Sequence, residues 1–473
     1  MIRSYLQKQP INKALLMQFV LTTILFSIPA FYNKYPLFFS DSGTYLVSLF
    51  DKRFVPMDRP FGYGFMMRFV SMKLSLWPIV LFQNLIATLL VWKIITRFFD
   101  IEKAKYIHML ACVILLITSS LPWYTNQIMP DIITSFMILV LYLFFTSKNI
   151  FKWMYTLVLL FFVITHFSNF PILLFAILTI CVVMYYFKIN SLKEIFIKGG
   201  VACSVVIMGF VSISLQSYIN KQGFVFSHSS SVFLTGRLSE TGLLKTYLQD
   251  NCDVKPSPLC IYTDSLSNTS ADFIWNDQSA LNKVSRTHFN GVQSTNEENW
   301  HYLNNNVCKP IVAEIVTTPT YLIKFVFYGI RESFIQFFQL NIGAGLSQYG
   351  YNSPPFWPIR DHVAAELPAF LASEQNSRKL DFVFLNLINY LVLLGSCFVI
   401  WFAWIQNQLS KELKAFCTFI LFSIYWNAFF TAALGNVYDR LQARVTWMFV
   451  FAAIIIAVKL VQAFREKKIH NVL

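Results

Sequence analysis

The sequence predicts an all-α polytopic membrane protein with about ten transmembrane helices and a small subdomain outside the bilayer. Three observations carry that expectation. Of 473 residues, 56% are hydrophobic and only 13% charged, with a mean hydropathy of +0.53; a soluble domain is nearer a quarter charged. Apolar stretches long enough to cross a bilayer recur along the chain. The Lys and Arg residues gather in the short loops between alternate stretches, as the positive-inside rule requires. The net charge of +14 therefore reads as membrane topology. No basic stripe lies outside those loops, so nucleic-acid binding is not expected.

The elements follow in order. Arg3, Lys8 and Lys13 precede the first apolar run and keep the N-terminus inside. Residues 14–31 are long enough to span and carry no convincing cleavage site, so no cleaved signal peptide is expected. The first span covers about 15–32, and the polar stretch FFSDSGTYLVSLFDKRFVPMDRPFGYG then faces outside. Within it, 42–50 forms a short helix on the membrane with Asp41 or Ser42 as N-cap. Pro56 and Pro60 stop any helix beyond it, and the amphipathic 61–73 enters the bilayer obliquely. Further spans cover about 76–96, 107–120, 132–145, 154–165, 171–187 and 201–218. Arg97, Lys103, Lys105, Lys148, Lys152, Lys188, Lys193 and Lys198 mark the inside.

The one long polar region, 219–319, has no apolar run able to span and falls outside by parity. Its size suits a small packed subdomain. Cys252 and Cys260 lie eight apart there and predict a disulfide-closed loop in an oxidising compartment. Cys308 is left over, and the other five Cys read as small buried hydrophobes. Residues 321–340 are long enough to span, but a span here would put Lys411, Lys414, Arg465, Lys467 and Lys468 outside. This segment is therefore expected to be interfacial or re-entrant. Spans at about 382–404, 416–434 and 445–463 complete the chain, with both ends inside. The organisation is a transmembrane module at 1–218 whose first outside loop is 34–62, a subdomain at 219–319, an interfacial helix and outside loop at 320–380, and terminal helices at 381–473.

The polar residues of interest share the outer side: Asp41, Asp58 and Arg59 in the first loop, Asp131 in the second, His166 in the third, Arg237 in the subdomain, and Arg440 and Arg444 in the last loop. An ionisable group at a membrane edge is by default a functional candidate. Carboxylates with Arg in one cavity suit a reaction of phosphate and hydroxyl groups, since Arg grips phosphate bidentately and a carboxylate takes a proton from an attacking hydroxyl. Plainer readings stand beside these. Asp41 also suits a helix cap, Asp58–Arg59 a local ion pair, and Asp131 a favourable charge at a helix N-terminus. His166 also suits an interfacial side chain. Arg440 and Arg444, four apart on one helix face, also suit lipid headgroups or neighbouring acids. The scattered His and Cys predict no metal site. P-loop, HExxH, GxSxG and dinucleotide motifs are absent from the sequence.

This layout resembles the GT-C superfamily of integral-membrane glycosyltransferases. Asp41 in FFSDSGTYL matches the position of that family's first-loop catalytic acid, and Met129-Pro-Asp131 resembles its acidic second-loop segment. The large loop and YDRLQARVTW near the end are similar to a group of bacterial membrane proteins of this general kind. The chain departs from the better-known branches: it has Asp-Ser in place of an adjacent Asp-Glu pair, and no WWDYG-type motif. The resemblance implies an inverting sugar transfer from a polyprenyl-phosphate-linked donor to an envelope glycan or lipid, at the outer face of a bacterial inner membrane. Asp41 would be the base, Arg440, Arg444, Arg59 and Arg237 would hold phosphate, and no cofactor beyond an optional divalent cation is implied. A lipid-linked glycan transporter or flippase is the competing expectation, together with a surface-polysaccharide polymerase or ligase. Mid-span charges and internal repeats, which would favour the transporter, are not evident.

Overall fold

A bundle whose middle is a single, wholly buried helix organises the fold. The structure, a computed structural model, describes residues 13–51, 56–147, 152–290 and 296–470; Arg3, Lys8 and Lys148 fall outside these. The bundle comprises α1 (Lys13–Phe26), α2 (Ser42–Phe50), α3 (Gly62–Ser71), α4 (Trp77–Phe98), α5 (Ile101–Thr118), α6 (Asp131–Thr146), α7 (Lys152–Val163), α8 (Asn169–Tyr186) and α9 (Leu192–Ile219). After a helical subdomain that opens with α10 (Ser230–Glu240) come α11 (Pro319–Phe337), α12 (Val383–Ile405), α13 (Lys411–Leu434) and α14 (Asp439–His470).

Six of these helices are long and apolar enough to cross a membrane: α4, α8, α9, α12, α13 and α14. The number is seven if Glu297–Thr317 and α11, bent by 94°, count as one span. The ten spans expected from sequence correspond to these six, to the shorter apolar α1, α6 and α7, and to α5, whose first turn carries Glu102. The chain is thus multi-pass in character. The count of ten rests on its four shorter or more polar helices.

Every residue of α6 is buried. A helix apolar on all sides belongs inside protein, and α4, α7, α8 and α14 pack around this one. At about 24 Å it is shorter than a hydrocarbon core of about 30 Å. Its last carbonyls are met by cations, as a helix C-terminus favours. Phe145 O accepts from Lys198, and Thr146 O accepts from Arg97 at 2.8 Å. Its N-terminus carries Asp131 into the interior.

Short backbone ties bring the loops at that end together. Leu37 pairs with the 126–128 strand-like segment through Leu37 N–H to Asn126 O and Ile128 N–H to Leu37 O, both 2.9 Å. Gln375 clamps the same loop, accepting from Phe38 N–H at 3.0 Å and donating to Phe38 O at 2.7 Å. The loop bearing Asp41 is thereby fixed beside the loop that leads into Asp131. The helix Ser42–Phe50 forms where expected.

The subdomain has a core of its own, including Val232, Leu244, Leu248, Phe273, Leu281 and Val307. Cys252 and Cys260 form a disulfide, and Cys308 is buried and free. From this core α11 runs down beside α13: Gly329 faces Ala433, and Phe337 reaches Tyr425. Within four residues of Phe337 the chain is back at the start of α14, where Asn341 N–H donates to Asp439 at 3.0 Å. α13 ends and α14 begins at one end of the bundle, and the stretch after α11 meets that end.

Gly345 and Phe39 show how closely the covering loop 341–381 sits. Gly345 adopts φ +81°, and a Cβ there would overlap the Phe39 ring. That ring also carries Arg440, 3.7 Å from ring centroid to guanidinium carbon. Gly345→Ala should destabilise the protein by about 1–3 kcal/mol, read as a lower thermal midpoint in detergent. Gly350→Ala, where the added methyl meets open space, should leave the midpoint unchanged.

Candidate functional site

The site is a chain of alternating charges at one end of the bundle. Arg444, one turn after Arg440 on α14, donates to Asp131 at 3.0 Å; both side chains are at most 1% exposed. Arg440 stands between two acids, 3.4 Å from Asp131 and 3.8 Å from Asp41. Asp41 in turn lies 2.7 Å from Arg59, which is 3.6 Å from Asp58. Arg444 also donates to Asn427 Oδ1 at 2.9 Å and to Ser168 Oγ at 3.3 Å. Ser168 N–H donates to His166 Nδ1 at 3.2 Å, and the Ser168 hydroxyl lies 2.8 Å from that nitrogen.

The geometry bears on the plainer readings of Asp41 and Asp131. Asp41 holds the N-cap position of α2, but its side chain makes no capping hydrogen bond; the carboxylate turns to Arg59 instead. Asp131 sits in the first turn of α6, where the dipole favours it, and it also receives two cations. Asp41, Asp58, Arg59, Asp131, His166, Arg440 and Arg444 therefore come together. Arg237 does not join them. It is buried between Glu240 at 2.9 Å and Glu332 at 3.0 Å and donates to Ala432 O at 2.7 Å. Arg237 thus ties the subdomain to the end of α13, and Glu332 of α11 is one of its partners. Among the described residues no group of His, Cys, Asp and Glu is arranged to hold a metal ion.

The electrostatics follow from burial and neighbours. Burial pushes the Asp41 carboxyl up, but Arg59 and Arg440 outweigh it and hold the group below its ordinary range. Burial likewise disfavours the Arg59 cation, and Asp41 and Asp58 more than restore it. His166 is held well below its ordinary value by burial and by Arg444, Arg59 and Arg440. It is therefore a neutral imidazole at neutral pH, accepting at Nδ1.

A cavity of about 340 Å³ opens beside this chain. Asp58, Arg59, His166 and Ser168 are among its polar lining residues, and Phe170, Phe226, Phe430, Leu434 and Leu441 are among its apolar walls. Such a space suits an amphiphile with a polar head at Arg59 and His166.

Sequence reasoning missed three neighbours. The buried hydroxyls of Tyr45 and Tyr124 have no hydrogen-bond partner among the described residues, and both rings lie in the field of the site's charges. The spacing of Tyr45, four residues after Asp41 on α2, was a legible signal. Asn427, buried in α13, was legible only as a polar interruption of an apolar span. Comparison with protein families, with curated proteins and with solved structures finds no match.

Two outcomes test this geometry. Asp131→Ala would strand the buried Arg444 cation and should cost about 3–5 kcal/mol of stability, whereas Asp41→Asn, with its side chain 21% exposed, should cost less. Chemical unfolding in detergent reads both. Because folding lowers the proton affinity of His166, only the unfolded chain takes up that proton just below its ordinary pKa of about 6.5. Stability should therefore fall as pH drops from about 7 to 5.5, and His166→Gln should flatten that slope in thermal midpoints.

Proposed function

We propose that this chain is a membrane glycosyltransferase of the GT-C type. It moves a sugar from a polyprenyl-phosphate-linked donor to a glycan or lipid acceptor of the cell envelope. Its site faces the outer side of a bacterial inner membrane. One observation carries the reading: a largely apolar cavity ends at Asp58, Arg59, His166 and Ser168, next to the carboxylate of Asp41. An isoprenoid chain suits the walls, and a phosphate suits Arg59 and Arg440.

In this mechanism the acceptor hydroxyl attacks the anomeric carbon. The bond from that carbon to the donor phosphate breaks, and its electron pair leaves with the phosphate. The hydroxyl proton passes to Asp41. Asp41 is a poor base while both arginines pair with it. A phosphate drawing Arg59 and Arg440 to itself raises the proton affinity of Asp41 as the donor settles. Arg59 and Arg440 then stabilise the charge that grows on the leaving phosphate. Tyr45 and Tyr124 bring two further buried hydroxyls near these charges. A second reading, a surface-polysaccharide polymerase or ligase, is favoured by the chain from His166 through Ser168 to Arg444, which offers a neutral imidazole beside a cation.

Mass spectrometry of envelope glycans tests the proposal in wild type, in a deletion strain and in Asp41→Asn at wild-type abundance. The same sugar increment should vanish from both mutants. An increment lost on deletion but kept in Asp41→Asn would remove Asp41 from the chemistry, and no change in either would overturn the transferase reading.

A further inference from the structure

We propose that a second cavity, between α11, α12, α13 and α14, binds one acyl chain of an ester-linked glycerolipid, with the ester carbonyl accepting from Gln442. The proposal stands apart from the transferase reading. This cavity of about 330 Å³ is walled by Phe337, Leu394, Leu421, Ile424 and Phe449 among others, and shares no lining residue with the one beside Arg59.

Gln442 lines it and is fully buried. Its Oε1 accepts from Asn427 Nδ2 at 2.9 Å, but its Nε2 has no partner among the described residues. A buried amide donor without an acceptor is costly. The two hydroxyls that also line the cavity do not meet it: Tyr390 donates to Asn341 Oδ1 and Thr446 to Ala443 O. The missing acceptor is a neutral oxygen attached to something apolar. A phosphate would call for a cation, and none lines this cavity. A plain isoprenoid chain brings no oxygen. An ester carbonyl above an acyl chain brings both parts.

The depth agrees. Gln442 lies three residues past the start of α14, and Phe449 lies seven residues further, about 10 Å deeper along the helix. The donor thus sits at the end nearer the loops, where a lipid's ester groups lie, and the apolar walls descend from it toward the level of the chains. Entry is lateral. The α12 helix is largely exposed, with Leu391, Leu394 and Phe398 on its open surface, so a chain in the bilayer reaches the cavity past this helix. Asn427 then links occupant to site, since it donates to Gln442 and accepts from Arg444. Gln442 is accordingly a positioning residue: it steadies Asn427, the amide that accepts from Arg444.

The test uses the full chain in proteoliposomes with a phosphatidylglycerol carrying a photoactivatable diazirine in one acyl chain, and with its ether-linked analogue. Crosslinked peptides should map to Leu394, Cys397, Leu421 and Phe449. The ester probe should label them ~5-fold more than the ether probe, and Gln442→Leu should erase that difference. Equal labelling by both probes on the unaltered protein would overturn the proposal without any mutation. So would crosslinks spread over the bundle surface with none at these four residues.

Discussion

The ion pair between Asp131 and Arg444 is the constraint on which the site depends. Both groups are essentially excluded from solvent, so neither can lose its partner without leaving a bare charge in the interior. Asp131 is delivered there by α6, which is buried along its whole length. Arg444 is delivered by α14, the helix that packs on it. Once these two are locked, Arg440 is one turn away on the same face, and its reach toward Asp41 is set. The opposite end of α6 is closed by Lys198 and Arg97 on its last carbonyls. A single apolar helix is thus held at both ends by charge, and its position decides where the site lies.

The charges are balanced: Asp41, Asp58 and Asp131 face Arg59, Arg440 and Arg444. An anion entering here would do so by exchange, taking arginine contacts from carboxylates. That exchange favours the more exposed half of the chain. Arg59 and Arg440 have some solvent access and Arg444 has none. The two halves accordingly differ in kind. Asp131 and Arg444 hold the framework, and Asp41, Asp58, Arg59 and Arg440 remain open to a ligand. Phe39, in contact with both Gly345 and Arg440, limits how far that arginine can turn.

Much of this was legible in the sequence, for identifiable reasons. Apolar length and loop charge disclosed the helical, multi-pass class, because a bilayer leaves few alternatives to helices. The eight-residue spacing of Cys252 and Cys260 disclosed the disulfide. The convergence of Asp41, Asp131 and Arg440 was legible because topology places alternate loops on one side. Pairing was not legible. Arg237 reads from sequence as another outer-face cation, and only the fold sets Glu240 and Glu332 against it. Gln442 and Asn427 were hidden for a related reason: a single amide hardly changes the hydropathy of a span, yet its partners decide its meaning. The exact number of spans was blurred by α6, whose burial in protein frees it from bilayer length.

The central claim is that Arg59 and Arg440 form the head-group end of a site for a phosphate-bearing isoprenoid lipid. Native mass spectrometry of the purified protein with a polyprenyl phosphate measures this directly, comparing wild type with Arg440→Gln at matched folding, judged by thermal midpoint. The account predicts one lipid bound per chain in wild type and at least a tenfold weaker complex in Arg440→Gln, a loss of about 1.4 kcal/mol. Equal binding by the two proteins, or none by the wild type, would contradict it.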